Sequence, residues 1–341
     1  MTPLDGLAVG SAGLIFGALG LVIRNLNRLE ELPEDPAPSP SAVCLCIPAR
    51  NEAAEIGAAL ASWIAQDHRG LHIVVVDDGS TDATPQILAG LSSDRLRVIR
   101  NEALPAGWLG KNHALHLAIQ VAEARQADWL LFADADVRAE PALLRRALAH
   151  AEAAGADVLA LVPGQDTGSF GERLLLPVLA AGFLALVPAD KVARPGHPAF
   201  AGIGAFTLVR RAVYEAIGGH AAAPLEAVDD MMLARRAKRA GFRNRLGRGG
   251  PGLRIRMYPS GAEAVRALRK NVLALPWLWV AFPLLGPLFL GLWLTPVWLL
   301  FAGWPVLSLL LWLSVPAVVS EAHQRLTEGP AELAWALWPL A

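Results

Sequence analysis

Apolar segments of strand length alternate with helix-length segments through the first half of the chain. The strand-like segments are VCLCIPA, HIVVVDDG, LRVIRN, DWLLFADADV and ADVLALVPG, all within residues 43–164. Strands that are nearly continuous apolar runs are typical of a parallel sheet with helices on both faces. The sequence therefore predicts an α/β fold with a doubly wound, mostly parallel sheet.

Two long runs of the chain contain no charged residue: residues 6–23 and 271–320. Because a helix needs roughly 20 apolar residues to cross a bilayer, we predict spans at 4–23, 272–293 and 297–318. Basic residues flank these spans on the side of the middle region, which predicts that this region is cytoplasmic; they are Arg24, Arg28, Arg266, Arg269, Lys270 and Arg325. The first run is also compatible with a cleaved secretory signal, although its positive charges follow the run instead of preceding it.

The predicted protein is therefore a multi-pass protein of the inner (plasma) membrane. Its predicted parts are an N-terminal transmembrane anchor (1–28), a proline-rich linker (29–41), a cytoplasmic α/β domain (42–259), a basic interfacial helix (260–271), two transmembrane helices (272–320) and a C-terminal tail that turns apolar at its end (321–341). The net charge of −1 gives no indication of nucleic-acid binding. Cys44 and Cys46 lie on one face of a strand and are expected to be reduced core residues.

Polar residues follow three of the predicted strands at the point where each strand ends. The first strand runs into Pro48, Arg50, Asn51 and Glu52, the second into Asp77, Asp78 and Gly79, and the fourth into Asp134 and Asp136. Ligands of open α/β sheets bind at the carboxyl ends of the strands. We therefore expect a binding site at this edge of the sheet.

Asp134 and Asp136 are two residues apart, so both side chains point the same way if the strand persists. Two carboxylates suit Mg²⁺ or Mn²⁺, which completes its shell with water and substrate phosphates. The alternative is a helix N-cap for the PALLRRALAH segment, which accounts for one acid at most. For Asp77 and Asp78 the alternatives are a turn before a capped helix, or a carboxylate that binds a nucleoside.

Three further segments carry candidate site residues. Lys111 lies in the first turn of a predicted helix, where a cation favours a diphosphate, although a plain surface lysine fits equally. Trp108 either covers a substrate or packs on the domain. The stretch AGIGAF places Gly202, Gly204 and Ala205 where small residues let the backbone approach a ligand. Asp229 and Asp230 begin a predicted amphipathic helix. They supply either a general base or negative charge that complements the dipole at the start of the helix.

Taken in order, PARNE, DDGSTD, LGKNHAL, DADV, AGIGAF and VDDMMLARRAKRAGFR resemble a family 2 glycosyltransferase of the GT-A fold over roughly residues 42–245. GWLGKN, RIRMYP and the flanking spans are similar to the membrane-bound branch linked to hopanoids and carotenoids. The resemblance implies a nucleotide-sugar donor, a divalent metal and a membrane lipid acceptor.

The resemblance also implies roles for individual residues. Pro48, Arg50, Asn51 and Glu52 would line the nucleotide site, with Asp77, Asp78, Gly79 and Lys111 also contributing to it. Asp134 and Asp136 would bind the metal and diphosphate, Trp108, Gly202, Gly204 and Ala205 would belong to the acceptor or sugar pocket, and Asp230 would be the base. Asp229 stands where the family usually has Glu, which leaves both carboxylates as candidates for the base.

The Gln-x-x-Arg-Trp signature of processive polysaccharide synthases is absent from the sequence after Asp230, which favours transfer of a single sugar. The apolar segment 169–188 is expected either to form part of a lipid entry wall or to dock the domain on the membrane. Two alternative functions are a polyprenyl-phosphate sugar transferase and an inactive sugar-nucleotide-binding scaffold.

Overall fold

The computed structural model describes residues 3–256, 266 and 294–327. These residues divide into an α/β unit, Leu29–Asp166 with Asp190–Met257, and a helical unit, Met1–Arg28 with Thr167–Ala189 and Tyr258–Ala341. The predicted span 272–293, all of the predicted interfacial helix except the helical residue Arg266, and the end of the tail lie outside the described residues.

The α/β unit is built on a nine-stranded sheet. Its strands are β1 (Glu30–Glu31), β2 (Val43–Ala49), β3 (Leu71–Asp78), β4 (Leu96–Asn101), β5 (Trp129–Phe132), β6 (Arg138–Ala139), β7 (Val158–Gln165), β8 (Thr207–Arg210) and β9 (Asn244–Ile255). The order is β1-β9-β7-β8-β5-β2-β3-β4, with β6 paired to β9. Within that order only β8 runs antiparallel to its neighbours, so the predicted mostly parallel sheet is confirmed.

Helices of the α/β unit cover both faces of this sheet with two apolar clusters. They are α2 (Ile56–Ile64), α3 (Thr84–Gly90), α4 (Gly110–Ala118), α5 (Ala122–Gln126), α6 (Leu143–Ala153), α9 (Arg211–Ala216) and α10 (Asp229–Arg239), with a 3₁₀ turn at His220–Ala222. Cys44 and Cys46 are free and buried in one cluster, as expected. The predicted helix whose first turn carries Lys111 is α4, and a separate short helix, α5, follows it.

The helical unit contains α1 (Pro3–Leu26), α7 (Phe170–Leu186), α11 (294–301) and α12 (Pro305–Thr327). Asp5–Leu26 and Pro305–Leu326 are long and apolar enough to cross a membrane. The third predicted span, 297–318, is displaced because α11 ends before Gly303, whose φ is +83°, and a new helix begins at Pro305. α7 packs with α1 and α12, so the segment 169–188 does not belong to the α/β domain in which we had placed it. α8 (Ala189–Val192) follows it where the chain re-enters the α/β unit.

The segment predicted as a spacer, residues 29–41, is packed on the α/β unit. Glu30 pairs in the sheet with Gly247 and accepts hydrogen bonds from Arg245 and His150. Arg145 donates to Asp35 and to the Pro36 carbonyl. A segment rich in proline has many carbonyl oxygens and few N–H groups. Arginines of α6 donate hydrogen bonds to some of these carbonyl oxygens. The predicted proline-rich linker thus makes specific contacts with the sheet and with α6.

Candidate active site

An open cavity of about 430 Å³ lies at the carboxyl ends of β2, β3 and β5. Ten residues line it: Pro48, Ala49, Arg50, Glu52, Asp78, Gly110, Lys111, Asp134, Ala135 and Asp136. Seven of them are predicted site residues, and they come from the three strand ends and the first turn of α4. A second, small cavity of about 10 Å³ shares Pro48, Lys111 and Asp134 with it and is also lined by Asp229 and Asp230.

The loops after β2 and β3 hold each other in place. Asn51 has a φ of +58°, the conformation that lets its side-chain oxygen accept from the Thr81 N–H at 2.8 Å. Its own N–H donates to the Ser80 hydroxyl at 2.9 Å. Asn51 is absent from the cavity lining, so it shapes the rim through the neighbouring loop.

Of the two acids after β3, the structure brings only Asp78 into the cavity. Asp77 is buried against the Ser80 N–H and the Arg100 guanidinium, and Gly79 occupies a turn position with a φ of +66°. Asp78 accepts a hydrogen bond from Asn101 at 2.6 Å and lies 3.8 Å from Arg50, whose side chain is 63% exposed. The turn interpretation therefore applies to Asp77 and Gly79, while Asp78 and Arg50 face the cavity.

β5 ends at Phe132, so Asp134 and Asp136 lie in a turn and not on a persisting strand. The Asp134 N–H donates to the Gly204 carbonyl, and the Val137 N–H donates to the Asp134 carbonyl. The helix-cap alternative does not hold for either acid, since the N-cap residue of α6 is Ala142.

Lys111 joins the two acidic groups of the site. Its Nζ lies 2.8 Å from Asp134 Oδ1 and 3.2 Å from Asp229 Oδ1. Burial acts to lower the pKa of Lys111, but Asp134, Asp229 and Asp230 outweigh it and hold this pKa well above the usual lysine range. Lys111 is therefore charged and holds Asp134 close to the start of α10.

Asp136 is different because no cation pairs with it within the described part of the chain. Burial and the neighbouring charge of Asp134 raise the pKa of Asp136 to about 6. Burial, followed by Asp136 and Asp134, raises the pKa of Glu52 to about 7. Lys111 pairs with Asp134, whereas Asp136 and Glu52 have no ion-pair partner among the described residues.

Asp229 and Asp230 differ sharply in their surroundings. Asp229 is buried, with one oxygen near Lys111 and the other 3.7 Å from His220 Nε2. Burial raises the pKa of Asp229, but Lys111 and His220 lower it to about 2. For Asp230, burial and the charge of Asp229 raise the pKa to about 6. Asp229 is a fixed anion, and Asp230 is the carboxylate suited to accept a proton near neutral pH.

Residues that the sequence reasoning missed fix this acidic pair. His220 contacts the Tyr214 hydroxyl at 2.8 Å as well as Asp229. Asn112, next to Lys111, is buried and donates to the carbonyls of Ala223, Pro224 and Glu226 in the loop that leads into α10. The only signal for these residues is their position in the sequence next to Lys111 and next to the Gly218-Gly219 turn. Their contacts join segments that are distant in the sequence, so the sequence does not indicate them.

The predicted acceptor pocket residues are only partly brought together. Trp108 packs on α4, with ring centroids 5.0 Å from His116 and 5.4 Å from His113, and does not line the cavity. Gly204 lines the small cavity, and a Cβ built on it would lie 2.6 Å from Asp134 Oδ2. Ala205 is buried in the core, away from both cavities. The packing interpretation of Trp108 is the one that its contacts support.

Gly202 serves the acidic pair directly, because a Cβ built on it would overlap the carbonyl oxygen of Asp230. We expect Gly202→Ala to displace the first turn of α10 and to cost roughly 1–3 kcal/mol of unfolding free energy, together with most of the activity. Gly57→Ala in α2 is the matched control, since its Cβ meets only an ordinary contact at 3.5 Å. Thermal unfolding and activity measured on both variants check this; equal effects of the two substitutions would contradict it.

The family model named "Glycosyl transferase family 2" matches residues 44–218, which carry the strand ends, Lys111 and the two acids of the 134–136 turn. The chain belongs to glycosyl transferase family 2. Its predicted GT-A fold is also confirmed, because a mannosyltransferase from Pyrobaculum calidifontis, solved with GDP-Man and Mn²⁺, superposes with a TM-score of 0.54 at 21% identity, covering 94% of this chain and 85% of that one.

Two curated relatives of this family 2 chain have names that refer to lipids. The chain is 33% identical over 149 residues to beta-monoglucosyldiacylglycerol synthase of Synechocystis sp., covering 40% of this chain and 30% of the relative. It is 26% identical over 235 residues to 4,4'-diaponeurosporenoate glycosyltransferase of Staphylococcus aureus, covering 66% and 59%. A third, succinoglycan biosynthesis protein ExoO of Rhizobium meliloti, is 35% identical over 119 residues, covering 34% and 31%. The chain thus matches about a third to three-fifths of the length of these relatives.

Proposed function

We propose that this protein transfers one sugar from a nucleotide sugar to a lipid held in a membrane, with inversion at the anomeric carbon. The observation that carries the proposal is the cavity at the strand ends, where Asp78, Asp134, Asp136 and Lys111 meet. The family 2 match covers all four of these residues, and Asp230 lies beside them in the small cavity. In this proposal Arg50 and Asp78 bind the nucleotide, and the diphosphate lies toward Asp134 and Asp136.

The donor set fits a divalent cation, Mg²⁺ or Mn²⁺. Asp136 is a partly buried carboxylate without an ion-pair partner among the described residues, and Asp134 lies two residues away. Together they are hard oxygen ligands of the kind these ions prefer. Within the described ranges no group of three or more His, Cys, Asp or Glu side chains could hold a metal by itself. A site completed by substrate phosphates is consistent with that finding. When bound, the cation would neutralise charge on the departing diphosphate.

Asp230 is the general base in this proposal. It takes the proton of the acceptor hydroxyl, whose oxygen then forms the bond to the anomeric carbon as the bond to the diphosphate breaks. Asp229 does not compete for the proton, since Lys111 and His220 stabilise its ionised form. Donor and acceptor held in line by the protein remove much of the entropic barrier to the reaction.

A lipid acceptor is supported by the helical unit. On α1 the exposed apolar side chains Leu7, Leu14 and Leu21 recur every seven residues, and on α12 Val306, Leu309, Leu310 and Leu313 form a similar stripe. Such stripes suit contact with acyl chains. One of the matched relatives is named for a glycolipid that it makes, and another for a carotenoid that it glycosylates. We accordingly propose a multi-pass membrane protein whose α/β unit is cytoplasmic, with a carotenoid- or hopanoid-like lipid as one acceptor class.

The rate of transfer is expected to depend on pH through Asp230. Because the base is active when ionised, the rate should fall as the pH drops through about 6, the pKa to which burial and Asp229 raise this carboxyl. Profiles at two saturating Mn²⁺ concentrations separate Asp230 from Asp136, since protons on a metal ligand compete with the metal. A midpoint near pH 6 that stays fixed supports the assignment. A midpoint that moves with Mn²⁺, or a flat profile from pH 5 to 8, contradicts it.

Calorimetric titration of the purified protein with UDP- and GDP-sugars, with Mn²⁺ and with a chelator, tests the donor site. We expect one donor to bind in a metal-dependent manner. A protein that binds no nucleotide sugar under either condition would refute the proposed donor site. Binding without hydrolysis or transfer to any lipid would favour the scaffold function, whereas transfer to polyprenyl phosphate alone would make the protein a carrier-charging enzyme.

A further inference from the structure

A third cavity, of about 450 Å³, lies beside the C-terminal half of α10. Arg235, Lys238 and Arg239 of α10 form one wall, and His197 and Phe200 belong to the opposite wall at residues 196–200. None of its lining residues is acidic. We call this the basic cavity; it shares no lining residue with the two cavities of the candidate active site.

The cations of the basic cavity have no carboxylate partners in the part of the chain that the structure describes. Among the described residues no ion pair joins Arg235, Lys238 or Arg239 to an Asp or Glu, whereas nearby Arg211 and Arg245 are paired with Glu215 and Glu30. Burial, and then the charge of Arg245, lower the pKa of Lys238, as expected where positive charge is not compensated. The cavity therefore presents net positive charge.

The architecture of the walls shows more than cations at a helix end. Basic residues in the last turn of α10 are expected because they complement the helix dipole. The helix dipole does not explain why these residues line a cavity. Lys238 Nζ donates to the Val192 and Arg194 carbonyls at 2.6 and 2.8 Å, which ties α10 to the chain entering the opposite wall. The Arg235 guanidinium lies 5.9 Å from the Phe200 ring centre. Arg235 and Arg239 remain available for a ligand.

We propose that the basic cavity binds the phosphate of an anionic membrane-lipid headgroup. Guanidinium groups bind phosphate oxygens with paired hydrogen bonds, which suits Arg235 and Arg239. A lipid source is favoured because residues 196–200 follow, within a few residues, the segment Thr167–Ala189, which belongs to the unit of apolar helices. The inference rests on the proposed function only for its membrane location.

The basic cavity and the candidate active site share one helix. α10 carries Asp230 near its start and Arg239 at its end, about 13 Å apart along the helix at 1.5 Å per residue.

The test uses the full-length protein in a neutral detergent and counts bound lipid by native mass spectrometry. Phosphatidylglycerol, phosphatidylcholine with the same acyl chains, and glycerol 3-phosphate are added in separate series. The variant Arg235→Gln with Arg239→Gln removes two charges and keeps Lys238, which holds the wall. The control is Arg69→Gln with Arg125→Gln, which removes two exposed charges elsewhere on the α/β unit.

We expect wild type and control to prefer phosphatidylglycerol over phosphatidylcholine, and the cavity variant to bind phosphatidylglycerol roughly tenfold to thirtyfold more weakly. Unchanged binding by the cavity variant, or equal binding of the two lipids, would overturn the proposal. Glycerol 3-phosphate bound as tightly as phosphatidylglycerol would also overturn it, in favour of a soluble phosphate ligand. Donor binding, measured on the same variants, is expected to be unchanged. If the wild-type protein bound no donor, this result would count against the proposed donor site and would not affect the conclusion about lipid binding.

Discussion

Replacing Asp230 by Asn is expected to lower the rate of sugar transfer to a hydroxyl acceptor by roughly 100-fold to 10,000-fold. The substitution keeps the shape of the side chain and removes the only one of the two α10 carboxylates whose pKa suits proton transfer near neutral pH. Nucleotide-sugar binding should be little affected, because Asp230 lines only the small cavity. The measurement is steady-state transfer, with donor affinity determined separately.

The size of this loss also reports on the acceptor. A carboxylic acid acceptor is already ionised, so Asp230→Asn would then slow transfer only mildly. The exposed Asp94→Asn serves as the matched control for an Asp-to-Asn change and should leave transfer unchanged. Full activity of Asp230→Asn on a hydroxyl acceptor would contradict the role of Asp230.

Replacing Asp136 by Asn is expected to have opposite effects on activity and stability. Loss of a ligand to a cation that supplies several kcal/mol of charge stabilisation should reduce transfer roughly 1,000-fold and abolish stimulation by Mn²⁺. In the metal-free protein the same change removes a partly buried charge that has no cation partner among the described residues, so the unfolding temperature should stay the same or rise.

Transfer assays with and without Mn²⁺, and thermal unfolding in a chelator, check both halves of this prediction. Asp94→Asn is again the control. A variant that keeps its response to Mn²⁺ would show that Asp136 is not a metal ligand. A marked loss of stability without metal would show that Asp136 has a structural partner.

The sheet and the strand-end residues were predictable because their signals are local. A run such as HIVVVDD specifies a buried strand and the acids at its end, and parallel pairing then brings Asp78 to the edge where Asp134 also lies. The family resemblance added the order of the motifs and the roles they imply. The strand prediction and the family resemblance both depend on short segments, and such segments form the same local structure in any chain of this fold.

Contacts between distant segments were not predictable in this way. Nothing in LGKNHAL indicates that Lys111 lies between Asp134 and Asp229, or that His220 lies 3.7 Å from the second oxygen of Asp229. Gly202 and Gly204 were expected to make room for a ligand, and they make room for Asp230 and Asp134 instead. The break between α11 and α12 depends on Gly303 and Pro305, which a count of apolar residues overlooks.

The central claim is that this cavity binds a nucleotide sugar and that its sugar is passed to a lipid. The most direct measurement incubates the full-length protein in membranes with a panel of radiolabelled UDP- and GDP-sugars, with Mn²⁺ or a chelator, and follows label in the organic extract. The account predicts that one donor labels a lipid only with metal, that Asp136→Asn removes nearly all of this label, and that Asp230→Asn lowers the label at least about 100-fold when the acceptor is a hydroxyl. Label that enters no lipid from any donor, or that persists in both variants, would contradict it.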